Sequence, residues 1–395
     1  MLPNGPAQVR TTAEQFPDEA KVPACLELQI TPQDLARALF ITGRAPKDQN
    51  KHGRSSIYEW CHRVAAMPAY LSWTDEDEDD DEQLRRITRT DLARELDPSE
   101  KGMLSYTLGQ AMCQIFAEKQ LSVRFFMHVA RYAATHQITF APGRRRADFF
   151  GERTVESGSH TYVVAEAKGR SGRLTSKLRN DMEIQKRTVK TIKGEEPEIA
   201  YASAVDFTSA RGAMRLTAID PDEAAPNAID LPVDPDWHVL AYYSPFLDVF
   251  AHQQPQVLGD YVVASFPTLG VTLGVLAPVL QRVERASRRD QRRGLRDDIL
   301  HLLSRHSPRH RRTLYVDGTL CATDWTLPQV DRLRPESQGR DELPDSLHQV
   351  YRSMDIGGEL QEVPAREGDF DLRNLSRASG RIPGIFPTPS DLLDS

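Results

Sequence analysis

Glu166 and Lys168 stand two apart in the apolar stretch TYVVAEAK, an acid and a base on a segment whose other positions suit a sheet interior. Residues two apart on a strand project from one face, so both share a side with Tyr162 and Val164. Asp148 stands 18 residues before Glu166. If the two segments pair as a hairpin with these acids opposed, the midpoint is Ser157, beside Gly158 in ESGSH, a run with turn chemistry. That register sets two carboxylates side by side with side-chain bases about 5 Å apart. The repulsion is roughly 3 kcal/mol at an effective dielectric of about 20. A divalent cation between the acids removes it, and oxygen ligands of this kind suit magnesium or manganese. Lys168, a step further along the same face, then reaches an attacking water or a phosphate oxygen. These are the parts of metal-assisted phosphodiester hydrolysis, in which the cation lowers the pKa of water and positive groups stabilise charge developing on the phosphorus oxygens. The competing structural reading is a surface strand with an ordinary Glu–Lys salt pair.

Several elements must position these residues. Asp97-Pro98-Ser99-Glu100 signals a helix start, with an acid three positions after the cap, and the helix runs to about Gln120. Its inner stripe is Leu104, Leu108, Ala111 and Ile115, and Glu118 at its end is expected to reach water. A short strand is predicted near Gln137 to Phe140, then the Asp148 and Glu166 strands. A helix follows from about Leu174 to Lys193. Leu174, Leu178, Met182, Val189 and Ile192 recur on it as one stripe, and Gln185 lies within that stripe, where a buried amide needs hydrogen-bond partners such as backbone at the core edge. Alternation in IAYASAV (Ile199 to Val205) and MRLTAI (Met214 to Ile219) predicts two more strands. The order helix, strand, strand, strand, helix, strand implies an α/β (α+β) fold with a mixed sheet flanked by helices.

A strand aspartate, a hairpin and then E-x-K on the next strand resembles the PD-(D/E)XK, or restriction-endonuclease-like, nuclease superfamily, whose core has this order of elements. The resemblance covers about a third of the chain. It implies that Asp148 and Glu166 bind one or two Mg2+ (or Mn2+) ions with the carbonyl of Ala167 as a further ligand. It also implies that Lys168 is the catalytic lysine and that Gln185 supports the site. The proline of the motif is replaced here by Ala147. By analogy the resemblance also implies DNA as substrate and a place in bacterial defence against foreign DNA, with a protein partner in the complex. The alternative is a non-catalytic nucleic-acid-binding or scaffold module that keeps the nuclease architecture.

The net charge of -7 argues against attraction of the whole protein to a polyanion, but the charge is uneven. From Ala141 to Lys193, 13 Lys and Arg face 6 Asp and Glu, and from Arg282 to Arg312, 11 Arg face 4 acids. Arg144, Arg145, Arg146, Arg170, Arg173 and Lys177 flank the acids and could hold backbone phosphates. Outside the predicted core, 96–222, lie a helical region, 1–95, with an acidic loop at 75–82, and a mixed region, 223–395. The latter carries a helix from His238 to Ala251, a long arginine-rich helix from Ala277 to Arg305, a hairpin turning at Asp317-Gly318 and a frayed tail. Four scattered cysteines argue against a structural zinc site and a disulfide framework. Neither a signal segment nor a membrane span is evident, so a cytoplasmic location and no membrane partner are expected, while oligomerisation is left open.

Overall fold

A nine-stranded mixed sheet carries the segments that the sequence singles out. The computed structural model describes residues 5–43, 55–76, 84–135, 147–154, 160–172, 174–186, 188–220, 229–253, 255–287, 291–305 and 314–323. All belong to a unit spanning Met1–Arg340, and a second unit, Asp341–Ser395, lies outside the described residues together with the expected tail.

The chain begins with β1 (Ala7–Glu14), β2 (Cys25–Ile30), α1 (Pro32–Thr42), α2 (Ser55–Tyr70), β3 (Leu71–Glu76), β4 (Leu84–Arg89) and α3 (Asp91–Glu95). Next come α4 (Pro98–Leu121), β5 (Val123–His128), α5 (Val129–Thr135), β6 (Phe149–Thr154), β7 (His160–Gly169), α6 (Ser176–Lys186), β8 (Val189–Ile192), β9 (Ile199–Phe207) and β10 (Met214–Ile219). The last described part holds β11 (Ile229–Leu231), α7 (Pro235–His252), β12 (Gln256–Leu258), β13 (Tyr261–Phe266), β14 (Val271–Leu276), α8 (Ala277–Ser287), α9 (Leu295–Arg305) and β15 (Thr319–Thr323).

In space the large sheet runs β3-β4-β1-β10-β9-β7-β6-β5, with β2 also bonded to β1. Strands β5, β6 and β7 are antiparallel neighbours, and β9 lies parallel to β7. The sheet is thus mixed and flanked by helices. The strands β12 to β15 form a separate antiparallel sheet, and β8 pairs with β11.

Local signals account for the helix starts. Asp97 caps α4 by accepting from the N–H groups of Ser99 and Glu100, and Glu100 returns a bond to Asp97, while Thr31 and Asp34 repeat the arrangement at α1. Both helices then carry proline at their first position, where its missing N–H costs nothing.

Four expectations need correction. Residues 1–95 are not helical throughout but contribute β1 to β4, with β1 inside the large sheet rather than in an appended region. The helix expected to reach Lys193 stops at Lys186, because four of the five residues in TVKTI are β-branched and Val189 and Ile192 join strand β8. The long arginine-rich helix is two helices, with Gly294 in the left-handed region (φ 75°) between them. Glu118 does not extend into water; its side chain, 10% exposed, turns inward to pair with Arg37 of α1, 2.5 Å away. The strand expected at Gln137 to Phe140 lies outside the described residues, and the first of the three antiparallel strands is β5 instead. Of the acidic run, Asp75 and Glu76 belong to β3, and 77–82 lie outside the described residues.

Candidate active site

The β6–β7 ladder runs from Thr154↔His160 to Phe149↔Ala165, and one step further sets Asp148 against Glu166, the register expected from the turn chemistry. The turn residues, 155–159, lie outside the described residues. Asp148 precedes β6, so at this point β7 has passed the end of its neighbour. The N–H of Ala167 donates instead to the Asp148 carboxylate, 3.1 Å away, while the Asp148 carbonyl accepts from Val129 N–H at 3.0 Å. The motif position taken by Ala147 has a physical reason: its N–H donates to Thr188 Oγ1 at 2.8 Å, a bond that proline could not make.

Glu166 is paired in register with Ala202 and Lys168 with Ala204 on β9, so all four project from one face. Met182 of α6 packs on Ala202 and Ala204 and covers that face. Further back on the same face, Tyr162 and Val164 join a core cluster with Phe150, Tyr132 and Val189. Gln185 lies in α6 one turn beyond Met182, and its side chain falls outside the described residues. On the reverse face, α4 approaches the end of β7 unusually closely. A Cβ on Gly109 would lie 2.5 Å from the carbonyl carbon of Lys168, and a Cβ on Gly169 would overlap the carbonyl of Ser105. Backbone meets backbone at both points, so neither side can give way. Gly169→Ala is therefore expected to cost about 3 kcal/mol or more, whereas Gly172→Ala, with open space around it, should leave the melting temperature unchanged. Parallel thermal melts of the two variants check this.

Glu166 is fully buried, at 0% exposure. Its Oε1 accepts from Lys168 Nζ, and its Oε2 is buried without a hydrogen-bond partner. Burial pushes its carboxyl up to about 8, helped by the neighbouring Asp148 charge and opposed by Lys168. Such a group is costly to keep charged unless more positive charge arrives. The reading of this strand as a surface element with an ordinary salt pair does not fit Glu166. Burial also pushes the Cys113 thiol on the other face up to about 12, so it is inert at neutral pH.

The remaining expected residues divide. Arg170 and Lys177 are exposed, on the loop after β7 and at the start of α6. Arg144, Arg145, Arg146 and Arg173 lie outside the described residues. Among the described residues no group of three or more His, Cys, Asp or Glu could hold a metal ion, so any cation here rests on the two carboxylates and on groups other than these side chains. Also among the described residues, no helix is long and apolar enough to cross a membrane.

Sequence reasoning missed Arg89 of β4. Its guanidinium donates to the carbonyls of Ser171 at 3.0 Å, Ser209 at 3.0 Å and Ala210 at 3.3 Å, and lies over the Phe207 ring. It joins the loop that follows Lys168 to the turn between β9 and β10. No local sequence signal marks a residue whose partners are about a hundred positions away.

No family model matches the chain, and neither a curated protein nor a solved structure is significantly similar to it.

Proposed function

We propose that the chain is a metal-dependent nuclease that hydrolyses phosphodiester bonds, with DNA as the substrate. The observation that carries this is Glu166: a wholly buried carboxyl with one oxygen unpartnered, beside Asp148 and salt-bridged to Lys168 at the end of a central strand. The order α4, β5, β6, β7, α6, β9, with the short α5 and β8 interposed and β9 parallel to β7, is compatible with the order that the resemblance implies and supports the same reading.

The residues present fit a hard divalent cation. Mg2+ is commonly held by one or two carboxylates, keeping its remaining positions for water and substrate phosphate. Asp148 and Glu166 would hold it with the carbonyl of Ala167, and once bound it would supply an activated water and charge stabilisation at the phosphate. Lys168, its side chain 28% exposed beside Glu166, orients the water or a phosphate oxygen. Gln185 supports the acids from α6, and Arg170 and Lys177 hold backbone phosphates on the exposed side. A role in defence against foreign DNA, with a protein partner, is part of the same proposal and rests on analogy alone.

The test is incubation of purified protein with plasmid and with short RNA in Mg2+, Mn2+ or EDTA. Metal-dependent cleavage of the plasmid that disappears in Lys168→Ala, with the melting temperature retained, is the expected result. Binding without cleavage under every condition would favour a scaffold module that keeps this architecture.

A further inference from the structure

A cavity of about 530 Å3 opens where β1, β3 and β4 meet the turn that enters β10. Arg10, Arg86, Arg94, Arg211 and Arg215 line it, against the one carboxylate of Asp75. Acids outside the lining hold several of these arginines in place. Arg215 is bound by both oxygens of Asp206 at 3.0 Å, Arg86 reaches Glu27 at 2.5 Å, and Arg94 is paired with Asp91. Asp75 is itself paired with Arg85 at 2.9 Å. Two guanidinium groups face outward. Arg10 has a side chain 64% exposed and meets Glu27 at 3.5 Å, and Arg211 is exposed with no ion pair or hydrogen bond among the described residues. Thr74, Thr88 and Thr208 add hydroxyls, the first two sharing a hydrogen bond of 2.9 Å.

The wall that carries Arg211 is a built turn. Thr208 N–H donates to the Ala213 carbonyl at 3.2 Å, Gly212 N–H to Ser209 at 3.3 Å, and a Cβ on Gly212 would overlap Thr208 Oγ1. Arg89 ties this turn to Ser171, directly after the candidate catalytic strand. Because β9 is parallel to β7 and β10 is antiparallel to β9, the cavity opens at the end of the sheet where Glu166 and Lys168 stand. In strand order, β10 lies two places from β7, β1 three, β4 four and β3 five. At about 4.8 Å per strand the cavity therefore begins about 10 Å from β7 and ends about 24 Å away. With about 3.4 Å per nucleotide along one strand of a duplex, that is about three to seven nucleotides.

We propose that this cavity is a phosphate-backbone subsite that holds the nucleic acid on one flank of the bond being cut. The placement of that bond rests on the nuclease reading; the affinity of the cavity for a phosphate backbone does not. The outward guanidinium groups of Arg10 and Arg211, backed by the acid-held Arg86, Arg94 and Arg215, suit a chain of phosphates, so the subsite positions the strand by charge.

The experiment measures fluorescence anisotropy of a labelled 24-nucleotide DNA, single-stranded and duplex, in EDTA across a salt series. It thus reports binding whether or not the chain cuts. Arg10→Ala combined with Arg211→Ala is expected to weaken binding roughly tenfold at about 0.1 M salt, and to make the slope of log K against log salt shallower by about 2. Arg10→Lys combined with Arg211→Lys should restore the slope, since charge and not shape is what it counts. Equal melting temperatures show that the variants are folded. An unaltered affinity and slope in the alanine variant, no binding by the unaltered chain, or full displacement of the strand by ADP near the strand's own Kd would each overturn the proposal, the last because the cavity would then hold a single nucleotide.

Discussion

Glu166→Gln should lose roughly a thousandfold or more in metal-dependent cleavage, while the metal-free variant melts no lower than the unaltered chain at pH 8. The two halves of this expectation have one cause. A buried carboxyl pushed up to about 8 is mostly protonated at neutral pH without a cation, and glutamine is a neutral group of the same shape. It can still accept from Lys168. What it cannot do is become an anion when a metal arrives. A purely structural Glu–Lys pair makes the opposite forecast, since removing one partner of a buried pair leaves the other uncompensated.

The sign of the pH dependence follows. The Glu166 carboxyl is raised in the folded chain from its ordinary 4.5. Its contribution to stability is therefore fully present below about 4.5, declines as pH rises because the unfolded chain releases the proton first, and is gone above about 8. In EDTA the melting temperature should fall across this window, and Glu166→Gln should flatten the fall. Manganese reverses the slope, because cation and proton compete for one carboxylate: affinity should rise about tenfold per pH unit up to about pH 8 and then level off. Melts between pH 5 and 9 and calorimetric titration with Mn2+ measure both. A glutamine variant that unfolds several kcal/mol more easily in EDTA, together with no effect of Mn2+ on the unaltered chain, would leave Glu166 as a structural ion-pair partner and nothing more.

What could be read from the sequence was local. The β6–β7 register was legible because a turn-forming run sits midway between Asp148 and Glu166, and strand alternation then fixes the faces. Strand β5 was not. Its register slips between Arg124 and Met127, and Phe125 takes a positive φ of 53°, so the chain bulges and the apolar run VRFFM shows no period of two. The stripe of α6 was legible only as far as Met182, since Val189 and Ile192 belong to a strand whose partner lies some forty residues later, at Ile229–Leu231. Glu118 at the end of a helix reads as a solvated acid unless its partner, Arg37, 81 positions earlier, is known to be there. The basic cavity draws arginines from three strands, a short helix and a turn, and no window of sequence collects them. Of the flanking arginines that charge counting emphasised, only Arg170 is among the described residues, so that cluster remains an expectation.

Asp317→Ala is expected to destabilise the protein by about 3–5 kcal/mol, roughly five degrees in melting temperature for a chain of this size. Asp317 is fully buried and accepts from Arg37 at 2.6 Å, from Tyr242, and from the backbone and hydroxyl of Thr319 at 3.1 and 2.7 Å. Arg37 also donates to Glu118 at 2.5 Å and Thr319 Oγ1 at 2.6 Å, and stacks 3.9 Å from the Tyr315 ring centre. Burial opposes ionisation of both acids. It wins at Glu118, whose carboxyl is pushed up, whereas at Asp317 the Arg37 charge and the donated hydrogen bonds hold the carboxyl below its ordinary range. Asp317 is thus the principal counter-charge of Arg37, and the cluster joins α1, α4, α7 and the segment before β15. With a depressed carboxyl, its contribution is present above the ordinary aspartate range and lost as pH falls through the folded value, the reverse of Glu166. Alanine strands a buried guanidinium. Replacing the pair together, Arg37→Met with Asp317→Leu, removes both charges and should recover much of the loss. Denaturant unfolding of the two single variants and the double variant gives the coupling directly. Additive losses would mean that the two charges are held independently, and the cluster would then not be what binds the amino-terminal helix to the carboxy-terminal strands.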